Sequence, residues 1–154
     1  MTALDVFRRC GNAEKEIAAL EEKIERRRAM AEGNGSVQPN ADGGSRGSRD
    51  ASMRLLDYVA NIAELEAKLE RRRQAELEDK ACCVYLAEQL EDRFGRAMLA
   101  VYVEHKGTKA AATEMGYSLS QFKRIRQGAE DICRRMDILI WDRKHVPLVS
   151  LREK

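Results

Sequence analysis

The sequence predicts an all-α protein: a long helical, coiled-coil-like hairpin followed by a C-terminal helix-turn-helix domain. Three observations carry that expectation. The 154 residues are 44% hydrophobic and 35% charged but only 5% aromatic, a composition that suits long solvated helices better than a thick core. Apolar residues recur every seven positions in two long stretches, with linker-like sequence between them. Near residue 116 a glycine turn is followed at once by a helix-capping pattern.

The first stretch covers residues 3–32. Cys10, Ile17, Ile24 and Ala31 fall seven apart, interleaved with Val6, Ala13 and Leu20, which is an a/d seam. Pairs such as Glu22 and Arg26 flank it at i,i+4. Residues 33–50 read GNGSVQPNADGGSRGSRD, without apolar periodicity, and predict a flexible linker. No phosphate-loop string occurs there. The helical pattern resumes over 51–91, with Leu55, Ile62 and Leu69 on one heptad position and Tyr58 and Leu65 between them. Residues 1–32 and 51–91 together predict the hairpin, although so long a linker also lets the first helix pair with another copy.

An internal echo accompanies the seams. Residues 17–32 read IAALEEKIERRRAMAE and residues 62–77 read IAELEAKLERRRQAEL. Convergence of two heptad helices of like composition is the preferred explanation over a structural repeat. The triplets Arg26–Arg28 and Arg71–Arg73 follow glutamate-rich turns and read as solvated faces rather than phosphate sites.

Charge is distributed unevenly behind the net +2. Residues 92–136 hold nine basic and five acidic groups, whereas 51–91 hold six and nine. A compact basic stretch is the footprint of a polyanion partner. Within it Phe94, Ala97, Met98, Val101 and Tyr102 predict an amphipathic helix ending at Gly107. Thr108 is expected to cap a short helix with Ala111, Ala112 and Met115 inward, and Gly116 to end it. Ser118 with Gln121 forms a capping box, and Tyr117 with Phe122 a hydrophobic staple. Phe122, Ile125, Ala129, Ile132 and Met136 then keep a 3-4-3-4 rhythm.

Short helix, glycine turn and capped helix make a helix-turn-helix over 92–137. Ser118, Ser120, Gln121, Lys123, Arg124 and Gln127 are the expected DNA-facing groups of its second helix. Lys106, Lys109 and Arg126 are added as phosphate contacts. No acid interrupts residues 115–129. Five cations on phosphates (Lys106, Lys109, Lys123, Arg124, Arg126) would give a slope of log K against log salt of about −4.5.

The stretch RAMLAVYVEHKGTKAAATEMGYSLSQFKRIRQGAEDI resembles the region-four helix-turn-helix of the main class of sigma factors. It is similar, more specifically, to small phage and prophage transcriptional regulators of the ArpU/RinA kind. Tyr102, Ala112, Met115, Gly116-Tyr117-Ser118, Gln121, Arg124 and Ala129 carry the likeness, within a resemblance spanning about residues 50–136. It implies a sequence-specific DNA-binding transcriptional regulator, a phage or prophage late-gene activator working beside RNA polymerase on double-stranded DNA. The alternatives are a small-terminase-type packaging protein and a coiled-coil interaction protein that no longer binds DNA.

No nucleophile elbow, metal-spaced cluster or carboxylate pair suggests an enzyme, a cofactor or a metal site. Cys10, Cys82, Cys83 and Cys133 read as small buried residues. The absence of an eighteen-residue apolar run or signal-peptide core predicts a cytoplasmic chain with no membrane partner. Residues 138–154 form a tail in which Trp141 is expected to pack back on the domain or line an interface. A chain lacking residues 1–50 is expected to keep a folded reader domain.

Overall fold

A computed structural model describes residues 1–35, 46–141 and 147–153. It is mostly helical, in the order α1 (Ala3–Gly35), α2 (Arg46–Glu88), α3 (Asp92–Met98), a π-helical segment (Leu99–Val103), α4 (Thr108–Met115), α5 (Leu119–Arg135), β1 (Met136–Ile140) and β2 (Leu148–Leu151). The two expected long helices are present, and the expected linker over 33–50 is shorter than its composition suggested. Gly33–Gly35 end α1, and Arg46 to Asp50 begin α2. An isolated glycine costs a helix about 1 kcal/mol, too little to stop a long one near its end. The centre of the expected linker, 36–45, lies outside the described residues. At the far end α2 stops at Glu88, not 91, because Glu91 takes an extended backbone ahead of α3 (φ −55°, ψ 140°).

The chain divides into two compact units, Lys15–Arg73 and Met1–Glu14 with Gln74–Lys154. This corrects the expected division, which assigned all of 1–32 to the hairpin and began the second domain at 92. Ala3, Leu4, Val6, Phe7 and Cys10, from the first turns of α1, share one core with Cys82, Cys83, Leu86, Met98, Ala129, Cys133 and Met136. The heptad seam included Val6 and Cys10 but not Leu4 or Phe7, and periodicity does not identify the surface that buries them.

Thr2 begins α1 by reciprocal bonding with Asp5. The Thr2 amide donates to Asp5 Oδ2 (2.9 Å), and the Asp5 amide donates to Thr2 Oγ1 (3.3 Å). The backbone bond from Thr2, then its hydroxyl bond, holds the Asp5 carboxyl below the usual range. The Arg9 guanidinium grips Asp79 with two nitrogens, at 2.8 and 2.5 Å; the carboxylate is 2% exposed and the guanidinium side chain 43%. Phe7 meets the Tyr102 ring at 6.0 Å between centroids. Gly95 brings α3 against the end of α2, where any Cβ would lie 2.4 Å from the Ala87 carbonyl oxygen. All four cysteines are buried free thiols. Burial pushes Cys82 up to about 11 and Cys133 up to about 12, so both remain protonated, unreactive packing groups.

A second cluster holds Ala97, Ala100, Ala111, Ala112, Phe122 and Ile125, with Phe94, Val101, Met115 and Tyr117 around it. Four alanines there let α3, α4 and the π segment come close to α5, and Phe122 fills the space between them.

The tail is not simply helix plus coil. β1 and β2 form an antiparallel pair, Met136 opposite Leu151, Asp137 opposite Ser150 and Ile138 opposite Val149, with an irregularity before Ile140–Leu148. The N-terminus joins β1 on its other side through a Thr2–Asp137 bridge, with the Ile138 amide donating to the Met1 carbonyl (3.1 Å). Trp141 packs against the first core, as expected. The all-α expectation thus holds for the bulk of the chain and misses this small sheet. Ile138, Ile140 and Val149 favour strand, but α5's 3-4 rhythm runs on through Met136 and hides the change.

In the other unit α1 and α2 pair antiparallel. Ile24, Leu65 and Leu69 are buried, with Ile17, Leu20 and Ile62 packed on them. These six are three echo pairs: Ile17 with Ile62, Leu20 with Leu65, Ile24 with Leu69. The ion pairs follow the same relation, since Arg28 meets Glu66 (2.7 Å) and Arg73 meets Glu21 (2.5 Å), and Glu21 and Arg28 are the echo positions of Glu66 and Arg73. Arg72 adds a contact to Glu16. Composition alone gives no reason for each contact to recur when the two segments are exchanged, so the echo is a local two-fold relation between helices. The arginine triplets supply ion-paired flanks to it, as expected of solvated faces.

Because Phe7 is fully buried, Phe7→Ala is expected to cost about 3–5 kcal/mol, read as a fall in the urea midpoint. Deletion of residues 1–14 should abolish cooperative unfolding of the C-terminal part, reversing the expectation that 1–50 are dispensable. A truncated chain with an unchanged melting transition would refute this assignment of the core.

Candidate nucleic-acid interface

The local signals at α4 and α5 translate into geometry almost residue by residue. Gly116 ends α4 in the left-handed region (φ 74°, ψ 24°), its amide bonding back to the Thr113 carbonyl and that of Tyr117 to Ala112. An L side chain in that conformation costs roughly 1–2 kcal/mol. Ser118 then caps α5: its hydroxyl accepts from the Gln121 amide (3.3 Å), and Gln121 Oε1 accepts from the Ser118 amide (3.0 Å). Tyr117 and Phe122 lie in one apolar cluster, as a hydrophobic staple requires.

The start of α4 differs from expectation. Gly107, not Thr108, is its N-cap, in an extended conformation (φ −61°, ψ 149°). The left-handed residue after the preceding helix is His105 (φ 53°), since the π-helical segment ends at Val103. A π turn carries more residues per turn than an α turn, which a 3.6-residue reading does not anticipate. His105 Nε2 is buried without a partner among the described residues, and its Nδ1 lies 3.7 Å from Glu14 Oε2.

α5 buries Phe122, Ile125, Ala129 and Cys133. Ser120, Lys123, Arg124 and Gln127 are exposed and at 100° per residue occupy an arc of about 100° opposite the buried stripe. Ser118 and Gln121 are exposed at its N-terminal end, their capping bonds leaving the Gln121 amide nitrogen outward. Ser118 Oγ lies 3.4 Å from Ser120 Oγ. Gln127 Nε2 donates to Asp131 Oδ1 (3.4 Å). Lys123 and Arg124, with Lys109 on α4, are exposed and form no ion pair with any described residue.

Two of the nine expected contacts are engaged within the chain. Lys106 sits between Glu104 and Glu114, its Nζ 2.5 Å from each, and those carboxylates hold its ammonium above the usual lysine range. Arg126 bonds Glu130 (2.7 Å) and lies over the Tyr102 ring, 5.6 Å from the centroid, while the Tyr102 hydroxyl also donates to Glu130 (2.9 Å). Arg126 thus closes a half-buried network between α5 and the π segment. Helical geometry contained that signal, because residues two apart point about 200° apart. Arg124 and Arg126 cannot serve one face.

The arrangement offers a rigid helix end with hydroxyl, amide, ammonium and guanidinium donors, and no carboxylate before Glu130. Among the described residues no group of His, Cys, Asp or Glu side chains is placed to hold a metal ion, and no helix is long and apolar enough to cross a membrane. Comparison with known proteins returns nothing similar: no family model, no curated protein and no solved structure matches the chain.

Gly116→Ala should lower stability by about 1–2 kcal/mol, and Ser118→Ala by about 1 kcal/mol, both measured by thermal melting. If both substitutions are neutral, the turn and cap do not fix the start of α5.

Proposed function

We propose that the protein binds double-stranded DNA, with α4, the Gly116 turn and α5 acting as a helix-turn-helix and α5 entering the major groove. The observation that carries this reading is the solvent face of α5. Lys123 and Arg124 stand free beside Ser120 and Gln127 on a helix whose opposite side is locked into the core. Donors on a preorganised helix suit base edges and phosphates. The likeness of 50–136 to sigma region four and to ArpU/RinA-like regulators extends the reading to a sequence-specific transcriptional regulator, a phage or prophage activator working with RNA polymerase. Lys109 and Lys123 hold phosphates, and Arg124, whose fork matches a guanine edge, reads a base.

With Lys106 and Arg126 engaged inside the chain and Arg124 on a base, Lys109 and Lys123 remain as the phosphate contacts, and the slope of log K against log salt becomes about −1.8. Titrations of duplex DNA at several salt concentrations measure it; a slope near zero overturns DNA binding. Arg126→Ala should lower stability and leave the slope unchanged. Arg124→Ala should cost about 1–3 kcal/mol of binding and relax one position of the selected site. Identical selected sites for the wild type and R124A would reduce Arg124 to a phosphate contact.

A further inference from the structure

The two-stranded sheet has one edge occupied and one edge open. The Ile138 amide points to Met1, on the side away from β2, so Met136 and Ile138 direct their backbone groups to the N-terminus and Asp137 directs its groups to Ser150. The Arg152 amide, donating to the Arg135 carbonyl (2.9 Å), fits the same alternation. Across the ladder, Ser150 therefore faces β1 with its N–H and C=O, and Val149 and Leu151 face away from it. No described residue pairs with the outward groups of Val149 and Leu151. The edge is apolar as well as open. Leu148 is 58% and Leu151 62% exposed, with Leu139 and Ile140 similarly bare on β1. No charge lies between Pro147 and Arg152, and Arg152 is bonded to Asp137. Open, uncharged edges of this kind template pairing with another strand.

We propose that β2 is a dimerisation edge whose partner is β2 of a second copy, antiparallel about a two-fold axis through Ser150. In that register Val149 lies opposite Leu151 of the second copy, and Leu151 opposite its Val149. The outward amides and carbonyls of both chains then close four backbone hydrogen bonds. No shift by one residue does this, because it sets outward groups against inward ones. The same register lays the exposed Leu151 beside the second copy's Val149 on one face of the joined sheet. A charged peptide has nothing to recognise along 148–151, whereas the strand complements itself. Association also stops at two copies, since Met1 and Thr2 already occupy the far edge of β1; the contact is isologous and closed.

The proposal does not depend on DNA binding and is tested on the full chain without DNA. Sedimentation across a concentration series should show a monomer passing to a dimer. Ser150→Lys, which sets two ammonium groups against each other on the axis while leaving the bonds to β1 intact, should keep the circular dichroism spectrum and abolish the dimer. Ser150→Cys should give a covalent dimer with a mild disulfide oxidant, because opposed residues at a non-hydrogen-bonded site are about 4.5 Å apart at Cα, within disulfide range. The native cysteines are buried and leave a low background. A chain that stays monomeric, a dimer that S150K leaves intact, open-ended assemblies, or failure of S150C to cross-link would each overturn the assignment. Capture of an unrelated strand-forming peptide without self-association would do the same.

Discussion

The buried stripe of α5 is the constraint on which the C-terminal architecture rests. Phe122 and Ile125 close the alanine-rich cluster under α4, while Ala129 and Cys133 close the core built around the start of α1. One helix thus serves two cores, and its rotation about its own axis is fixed twice. Where α3 passes into the π segment the chain makes the same transfer: Ala97, Ala100 and Val101 belong to one cluster, Met98, Leu99, Tyr102 and Val103 to the other. Tyr102 joins the two regions through Phe7, Glu130 and Arg126. The polar face of α5 is held by everything behind it.

The N-terminus takes part in that support rather than hanging beside it. Thr2 starts α1 and bridges to β1, Phe7 and Cys10 enter the core, and Arg9 compensates the carboxylate of Asp79. A buried carboxylate without its cation would carry a desolvation cost of several kcal/mol, so this ion pair specifies which part of α2 can lie beside the first turns of α1.

Features encoded by neighbours in sequence were legible before the fold was known. Gly116, the Ser118–Gln121 box and the Tyr117–Phe122 staple depend on spacings of five residues or fewer, and their geometry follows from chirality and unpaired amides. The exposed arc of Ser120, Lys123, Arg124 and Gln127 followed from the same helical period. Features encoded by distant residues were not legible. Nothing near Phe7 announces Tyr102, and nothing near Met136 announces Leu151. Lys106 and Arg126 carried the right charge for a polyanion, but each had a carboxylate within reach. Glu130 stands four residues on from Arg126 on the same helix and was open to the helical period, whereas Glu114 meets Lys106 only in the folded chain. Basic charge marked the region; freedom from internal partners selected the residues.

The two-fold relation between 17–32 and 62–77 has a consequence for misfolding. An apolar heptad seam repeats, so hydrophobic contacts alone would let α1 and α2 slide past one another by seven residues at little cost. The glutamates and arginines disfavour it. Sliding one way would bring Glu21 opposite Glu66, and sliding the other way would bring Arg28 opposite Arg73, each a like-charge pair in place of an attractive one. A repeated segment, usually the sequence most prone to slipping out of register, here carries its own penalty against both neighbouring alignments.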